Sequence, residues 1–211
     1  MTLPDTLLDG YRNFSKGRLA QDRERYRTLA REGQKPRTMV IACSDSRAAP
    51  ETIFDAGPGE LFVVRNVANL VPPFEPEGGH ASAASAIEYA VLALGVTDIV
   101  VLAHARCGGI AASLDEGFAP LSDGDFVGRW IDLVRPAAAE VRSTYDEGDR
   151  QTALEQASVR ASLERLRGFP PVAEAEREGR VTLHGAWFDI ETGELRVMNG
   201  GGEFEAAIGS G

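Results

Sequence analysis

Three short apolar runs constrain the fold of this 211-residue chain more than any other feature. Thr38 to Ala42, Leu61 to Val67 and Asp98 to Ala103 (DIVVLA) are rich in β-branched and apolar residues and lack the strict polar alternation of a half-exposed strand. Such runs suit strands covered on both faces, as in a parallel sheet between helices. Between the second and third runs lies His80 to Leu94 (HASAASAIEYAVLAL), an alanine-rich helical stretch able to pack closely on a sheet. Gly95 is placed to stop it. Residues 124 to 178 read as mostly helical, with a break near Gly168-Phe169-Pro170-Pro171. Val181 to Ile190 and Glu194 to Met198 read as two strands joined by the turn Glu191-Thr192-Gly193. The expected fold class is α/β: a mainly parallel central sheet flanked by helices, with a late antiparallel hairpin.

The first 35 residues carry Leu7, Leu8, Tyr11 and Phe14 on one helix face, and Pro36 ends the pattern. The expected organisation is an N-terminal helical arm over residues 1–35, packing on its own domain or on a second subunit. A metal-binding α/β domain over residues 36–211 follows it. A net charge of -10 and a pI near 4.9 argue against nucleic acid or an anionic membrane as the main partner. No basic leader with an apolar run and cleavage site is apparent, and no apolar stretch is long enough to span a bilayer. A reducing cytoplasm is the expected compartment for the two thiols.

Both cysteines and one of the three histidines fall in two short words that begin at strand ends. The first is Cys43-Ser44-Asp45-Ser46-Arg47 and the second is His104-Ala105-Arg106-Cys107-Gly108-Gly109. In open parallel sheets ligands bind outside the carboxyl ends of strands, so one pocket can hold both words. Two thiolates and an imidazole supply three of four tetrahedral zinc ligands and leave one position open, the pattern of a catalytic zinc. Alternation along an extended chain turns Cys43, Asp45 and Arg47 to one side. Asp45 and Arg47 can then form a bidentate carboxylate–guanidinium pair. Without Arg47, Asp45 is expected to close the site as a fourth ligand; with it, Asp45 is expected to orient the nucleophile. A dithiol redox couple is the competing reading of the cysteines, although its usual word is C-x-x-C.

These words resemble those of the β-class carbonic anhydrases, over about residues 33 to 200. Pro58 to Asn69 (PGELFVVRNVAN) is similar to the family's second strand and following loop. Leu183-His184-Gly185 with Asp189-Ile190-Glu191-Thr192-Gly193 resembles its late hairpin. The resemblance implies reversible hydration of carbon dioxide to bicarbonate and a proton by zinc-bound hydroxide. It implies one Zn2+ per chain on Cys43, His104 and Cys107, with Asp45 and Arg47 as the catalytic dyad. It carries the substrate pocket to Gln34, Phe62, Val67, Tyr89 and the backbone of Gly108. In this family some pocket residues come from the neighbouring subunit, so the implied unit is a homo-oligomer, a dimer at minimum. A subgroup that closes its zinc with the aspartate has a tryptophan and a tyrosine where Val40 and Phe188 stand here, and a glycine in place of Ala42. Arg65 remains, but the open form is expected. A carbon disulfide or carbonyl sulfide hydrolase would share these ligands, and an inactive zinc scaffold is the reading from another class.

Of the other residues, His184 is expected to be a satisfied strand histidine and His80 a cap or surface residue. Trp130 and Trp187 are expected in the core or an interface. Ser44 and Ser46 are placed to hydrogen-bond the ligand residues.

Overall fold

A computed structural model describes residues 3–77 and 81–208, so the expectation for His80 lies outside the described residues. The chain divides after Lys35 into two compact units. The first holds α1 (Asp5–Lys16), α2 (Arg18–Gln21) and α3 (Arg23–Glu32). Phe14 meets Tyr26 edge-on at 6.2 Å, which ties α1 to α3. The last helix stops at Gly33 rather than at Pro36. Gly33 takes φ +79°, a left-handed geometry that glycine adopts without a Cβ clash.

The second unit begins with β1 (Thr38–Cys43), α4 (Pro50–Ile53) and β2 (Leu61–Asn66). Next come α5 (Ala81–Glu88), continued by a π-helical turn over Tyr89–Leu94, and β3 (Asp98–His104). The helical region comprises α6 (Gly108–Leu114), α7 (Phe126–Ile131), α8 (Arg135–Thr144), α9 (Arg150–Arg167) and α10 (Pro170–Arg177). The chain then adds β4 (Thr182–Phe188), β5 (Leu195–Met198) and β6 (Phe204–Ala206). Among the described residues the six strands form one sheet in the order β2-β1-β3-β4-β5-β6. The first four are parallel and the last two antiparallel. Gly95 stops the π-helical turn at φ +66°, and the break between α9 and α10 falls at Gly168-Phe169.

Two features of the late strands also depart from the sequence reading. The hairpin strands are shorter because the Asp189 carboxylate accepts the Glu191 N–H (2.9 Å), turning the chain just after Phe188. The edge strand β6 was not foreseen, since three residues carry too little periodicity to read.

Register explains where the sheet directs chemistry. Met39, Ile41, Ile99, Val101, Ala103 and Trp187 share one face and pack with α9 residues Val159 and Leu163. Cys43 continues that face two residues beyond Ile41, and β1 pairs in parallel with β3, which ends at His104. The two ligand words therefore start from adjacent strand ends at the carboxyl edge of the sheet. The opposite face, including Val40, Ala42, Leu102 and Ala186, packs with Ile53 of α4.

Candidate metal centre

Cys43, His104 and Cys107 are buried and bring one ligand atom each within 4.8 Å of the others. The sulfurs of Cys43 and Cys107 are 3.8 Å apart and both cysteines are free. Two thiolates on one tetrahedral zinc, each about 2.3 Å from it, sit roughly 3.8 Å apart, so this spacing fits a shared ion. The His104 ring adds a second indication. Its Nδ1–H donates to the Ala105 carbonyl (2.9 Å), which leaves Nε2 as the lone-pair nitrogen. Nε2 is buried without a hydrogen-bond partner. A buried acceptor left unpaired costs about 1–3 kcal/mol, a cost that a metal at this point removes. The donor set thus fits zinc on geometry and on polar accounting.

Backbone N–H groups gather at the sulfurs, those of Asp45 and Ala68 at Cys43 and those of Gly109 and Ile110 at Cys107. Hydrogen bonding with Cys107 pulls the Cys43 thiol well below its ordinary value, against burial, with His104 and the two amides assisting. The same hydrogen bond between the sulfurs, together with burial, pushes Cys107 up. His104 is raised overall: burial works to lower it, but the nearby Cys43 sulfur, the Ala105 carbonyl and Asp45 outweigh burial.

Arg47 grips Asp45 through three N–H donors. Its backbone N–H and Nε donate to Oδ1, each at 2.9 Å, and Nη2 donates to Oδ2 at 2.7 Å. The guanidinium holds the Asp45 carboxyl well below the usual carboxylate range. Nη2 also lies 3.3 Å from the Arg106 carbonyl, and Arg106, at φ +57°, pairs with Glu191 on the hairpin turn. A carboxylate offers about four lone-pair positions. Three are used, two of them on Oδ1. The spare position belongs to Oδ2, the oxygen 3.9 Å from His104 Nε2.

Arg65 has a role that the sequence reading did not give it. Its Nε donates to the Cys43 carbonyl (2.8 Å) and its Nη2 to the Asp45 carbonyl (2.5 Å), clamping the turn on both sides of Ser44. Ser44 itself donates its backbone N–H to Asn66 (2.8 Å). A second missed residue is Glu155 of α9, which is fully buried. Its Oε1 accepts the Cys107 N–H (3.0 Å) and its Oε2 accepts the Trp187 indole N–H (2.9 Å). Burial pushes its carboxyl upward, partly offset by these two donors. One signal was available in the sequence: Glu155 keeps helical spacing with Ser158, Val159, Ser162 and Leu166, all buried.

The proposed pocket residues separate into groups. Val67 lies beside the centre: a Cβ added to Gly109 would stand 2.8 Å from its Cγ1. Trp130 donates its indole N–H to the Val67 carbonyl (2.7 Å). Gly108 opens α6 immediately after Cys107. Phe62 and Tyr89 meet each other with ring centres 5.9 Å apart. Phe62, however, pairs with Met39, four positions before Cys43 along β1. That is about 13 Å of strand, so within one chain this aromatic pair does not reach the metal ligands. Gln34 belongs to the first unit and is exposed. His184 is satisfied as expected, Nε2 lying 2.9 Å from Asp98 Oδ1, and Trp187 is a core residue.

The family model described as carbonic anhydrase matches residues 38–195. A carbonic anhydrase of Pseudomonas aeruginosa is 39% identical over 197 residues, 92% of this chain and 87% of that protein. Among solved structures, the β-carbonic anhydrase CcaA superposes with a TM-score of 0.86 at 28% identity, over 97% of this chain and 92% of that one. One of two tetrameric β-carbonic anhydrases from Sordaria macrospora gives 0.79 at 31% identity, over 92% of this chain and 96% of that one.

Proposed function

The chain belongs to the β-class carbonic anhydrase family, and on that premise we propose that it hydrates carbon dioxide reversibly to bicarbonate and a proton with one zinc ion held by Cys43, His104 and Cys107. The observation that carries this reading is the convergence of two sulfurs and an unpaired buried imidazole nitrogen beside a carboxylate already committed to arginine. Zinc, when bound, lowers the pKa of a coordinated water from about 16 toward about 7 and so supplies the nucleophile at neutral pH.

The protein's own groups do the remaining work. The spare lone pair on Asp45 Oδ2 accepts a hydrogen bond from the attacking oxygen and sets its orientation. Arg47 keeps Asp45 ionised and, by occupying both of its oxygens, keeps it from closing the metal as a fourth ligand; the site is read as open. Val67 supplies an apolar wall for an uncharged gas, and the Gly108 N–H at the start of α6 faces the developing anion. Arg65 fixes the Cys43–Asp45 turn on which the dyad stands.

Phe62, Tyr89 and Gln34 complete a pocket across a subunit boundary in this reading. The distance along β2 favours their service to a neighbouring copy over service to their own chain, which makes a homodimer the minimum active unit, with the arm of residues 1–35 packing on that copy. The Sordaria relatives are themselves described as tetrameric. The reducing cytoplasm suits two free thiols of this kind.

Zinc analysis combined with carbon dioxide hydration tests the proposal. The expected result is one zinc per chain, with hydration abolished by a chelator and regained on zinc addition. Hydration that is indifferent to zinc removal would overturn it.

A further inference from the structure

Glu155 is a carboxylate buried to 0% exposure in the middle of α9. The Cys107 and Trp187 N–H groups that donate to it are both neutral. Burying a carboxylate is expensive unless hydrogen bonds replace its hydration, so its position at the base of the ligand loop calls for a reason. The contacts supply one. Glu155 Oε1 accepts the Cys107 N–H at 3.0 Å, and Gln151, one turn earlier on α9, donates its Nε2–H to the Cys107 carbonyl at 3.3 Å. The spacing i, i+4 places both side chains on one face of the helix. Together they hold the N–H and the C=O of a single residue. Trp187 Nε1–H, donating to Oε2 at 2.9 Å, fixes the carboxylate from the β4 side.

We propose that Gln151 and Glu155 form a clamp on the Cys107 backbone that sets the position of its metal-binding sulfur, making Glu155 a positioning residue for the zinc site. The inference rests on the zinc reading above. The clamp lets α9, packed against the sheet through Val159 and Leu163, define where the second thiolate stands. It also leaves the Gly109 and Ile110 N–H groups for the sulfur itself, because the Cys107 N–H is taken elsewhere.

Glu155→Gln tests this. A glutamine offers one acceptor and one NH2, so either the Cys107 N–H or the Trp187 N–H must face a donor. The variant is compared with wild type for zinc release to a chromogenic chelator, and as the cobalt(II) form for its thiolate-to-metal charge-transfer absorption. Release is expected to quicken about 10- to 100-fold, the usual effect of losing a group that orients a metal ligand, with a shifted absorption band. Val172→Ala, a buried residue of α10, serves as a control: it should lower the melting temperature while leaving zinc release at the wild-type rate. If Glu155→Gln does not fold, Gln151→Ala carries the test, with release faster by about 2- to 10-fold, the worth of one neutral hydrogen bond. Wild-type release from whichever variant folds, or equal acceleration in Val172→Ala, overturns the clamp. Failure of the wild-type protein to bind zinc would instead overturn the underlying zinc reading.

Discussion

Asp45→Asn is the most informative single substitution, because its consequences can be worked out atom by atom. Asp45 receives the Arg47 N–H and Nε–H on Oδ1 and the Nη2–H on Oδ2. An asparagine that keeps its carbonyl at Oδ1 places its NH2 at Oδ2, facing the Arg47 Nη2 donor across 2.7 Å. One charge-assisted hydrogen bond becomes a donor–donor contact, a local loss of about 1.5–3 kcal/mol. The larger effect is on turnover. The spare lone pair that orients the nucleophile sat on Oδ2, and an amide nitrogen has none to offer. Loss of such a positioned acceptor is worth about 100- to 10,000-fold in rate, or about 3–5 kcal/mol of barrier. Since Cys43, His104 and Cys107 are untouched, zinc content should stay at the wild-type level. Stopped-flow hydration assays on zinc-quantified wild-type and variant protein read both quantities. An Asp45→Asn protein with full zinc and full kcat would refute the role given to the dyad.

Three further outcomes are expected. Cys43→Ser and His104→Ala should each lose zinc and hydration together, as measured by metal analysis and turnover on the same sample; activity persisting without zinc would contradict the assignment. Gly109→Ala introduces a Cβ 2.8 Å from Val67 Cγ1 and 3.1 Å from Ala68 Cβ. Overpacking of this kind costs about 1–3 kcal/mol, so calorimetry should show a melting temperature lower by roughly 2–12 °C. Asp98 is held below its ordinary pKa by the Thr97 hydroxyl first and then by His184. A carboxyl depressed in the folded state stabilises above its unfolded pKa near about 4, and that contribution disappears as pH falls through the folded value. The pair is about one-third exposed, at 35% for Asp98 and 38% for His184. Its worth is therefore a few tenths of a kcal/mol. Asp98→Asn should leave a correspondingly shallower loss of stability between about pH 4 and pH 2 in denaturant titrations, and an unchanged slope would remove this pair from the acid response.

Cys43, Asp45, Arg47, His104 and Cys107 were legible because each pair lies within a few residues and strand alternation or one loop turn brings them together. Parallel pairing of β1 with β3 then had only to align two words already complete. Glu155 is 48 residues beyond Cys107, and a glutamate in a helix ordinarily reads as solvent-facing. Its contact with Cys107 follows from the three-dimensional stacking of α9 on the ligand loop. Arg65 was hidden for a different reason. Sequence spacing suggests what a guanidinium can bind, but its donors are spent on the Cys43 and Asp45 carbonyls. The π-helical turn at Tyr89–Leu94 left no trace in the periodicity, since one extra residue per turn barely disturbs an alanine-rich apolar pattern. The aromatic pair of Phe62 and Tyr89 was identifiable by residue type, whereas its distance from Cys43 follows only from the strand register.

The central claim is that three ligands and an arginine-held carboxylate make an open hydration site at neutral pH. Stopped-flow carbon dioxide hydration from about pH 6.5 to 9, on protein of known zinc content, tests it most directly. Substantial turnover at neutral pH, rising smoothly through one ionisation, is the predicted result. No hydration at any pH from fully zinc-loaded protein would contradict it.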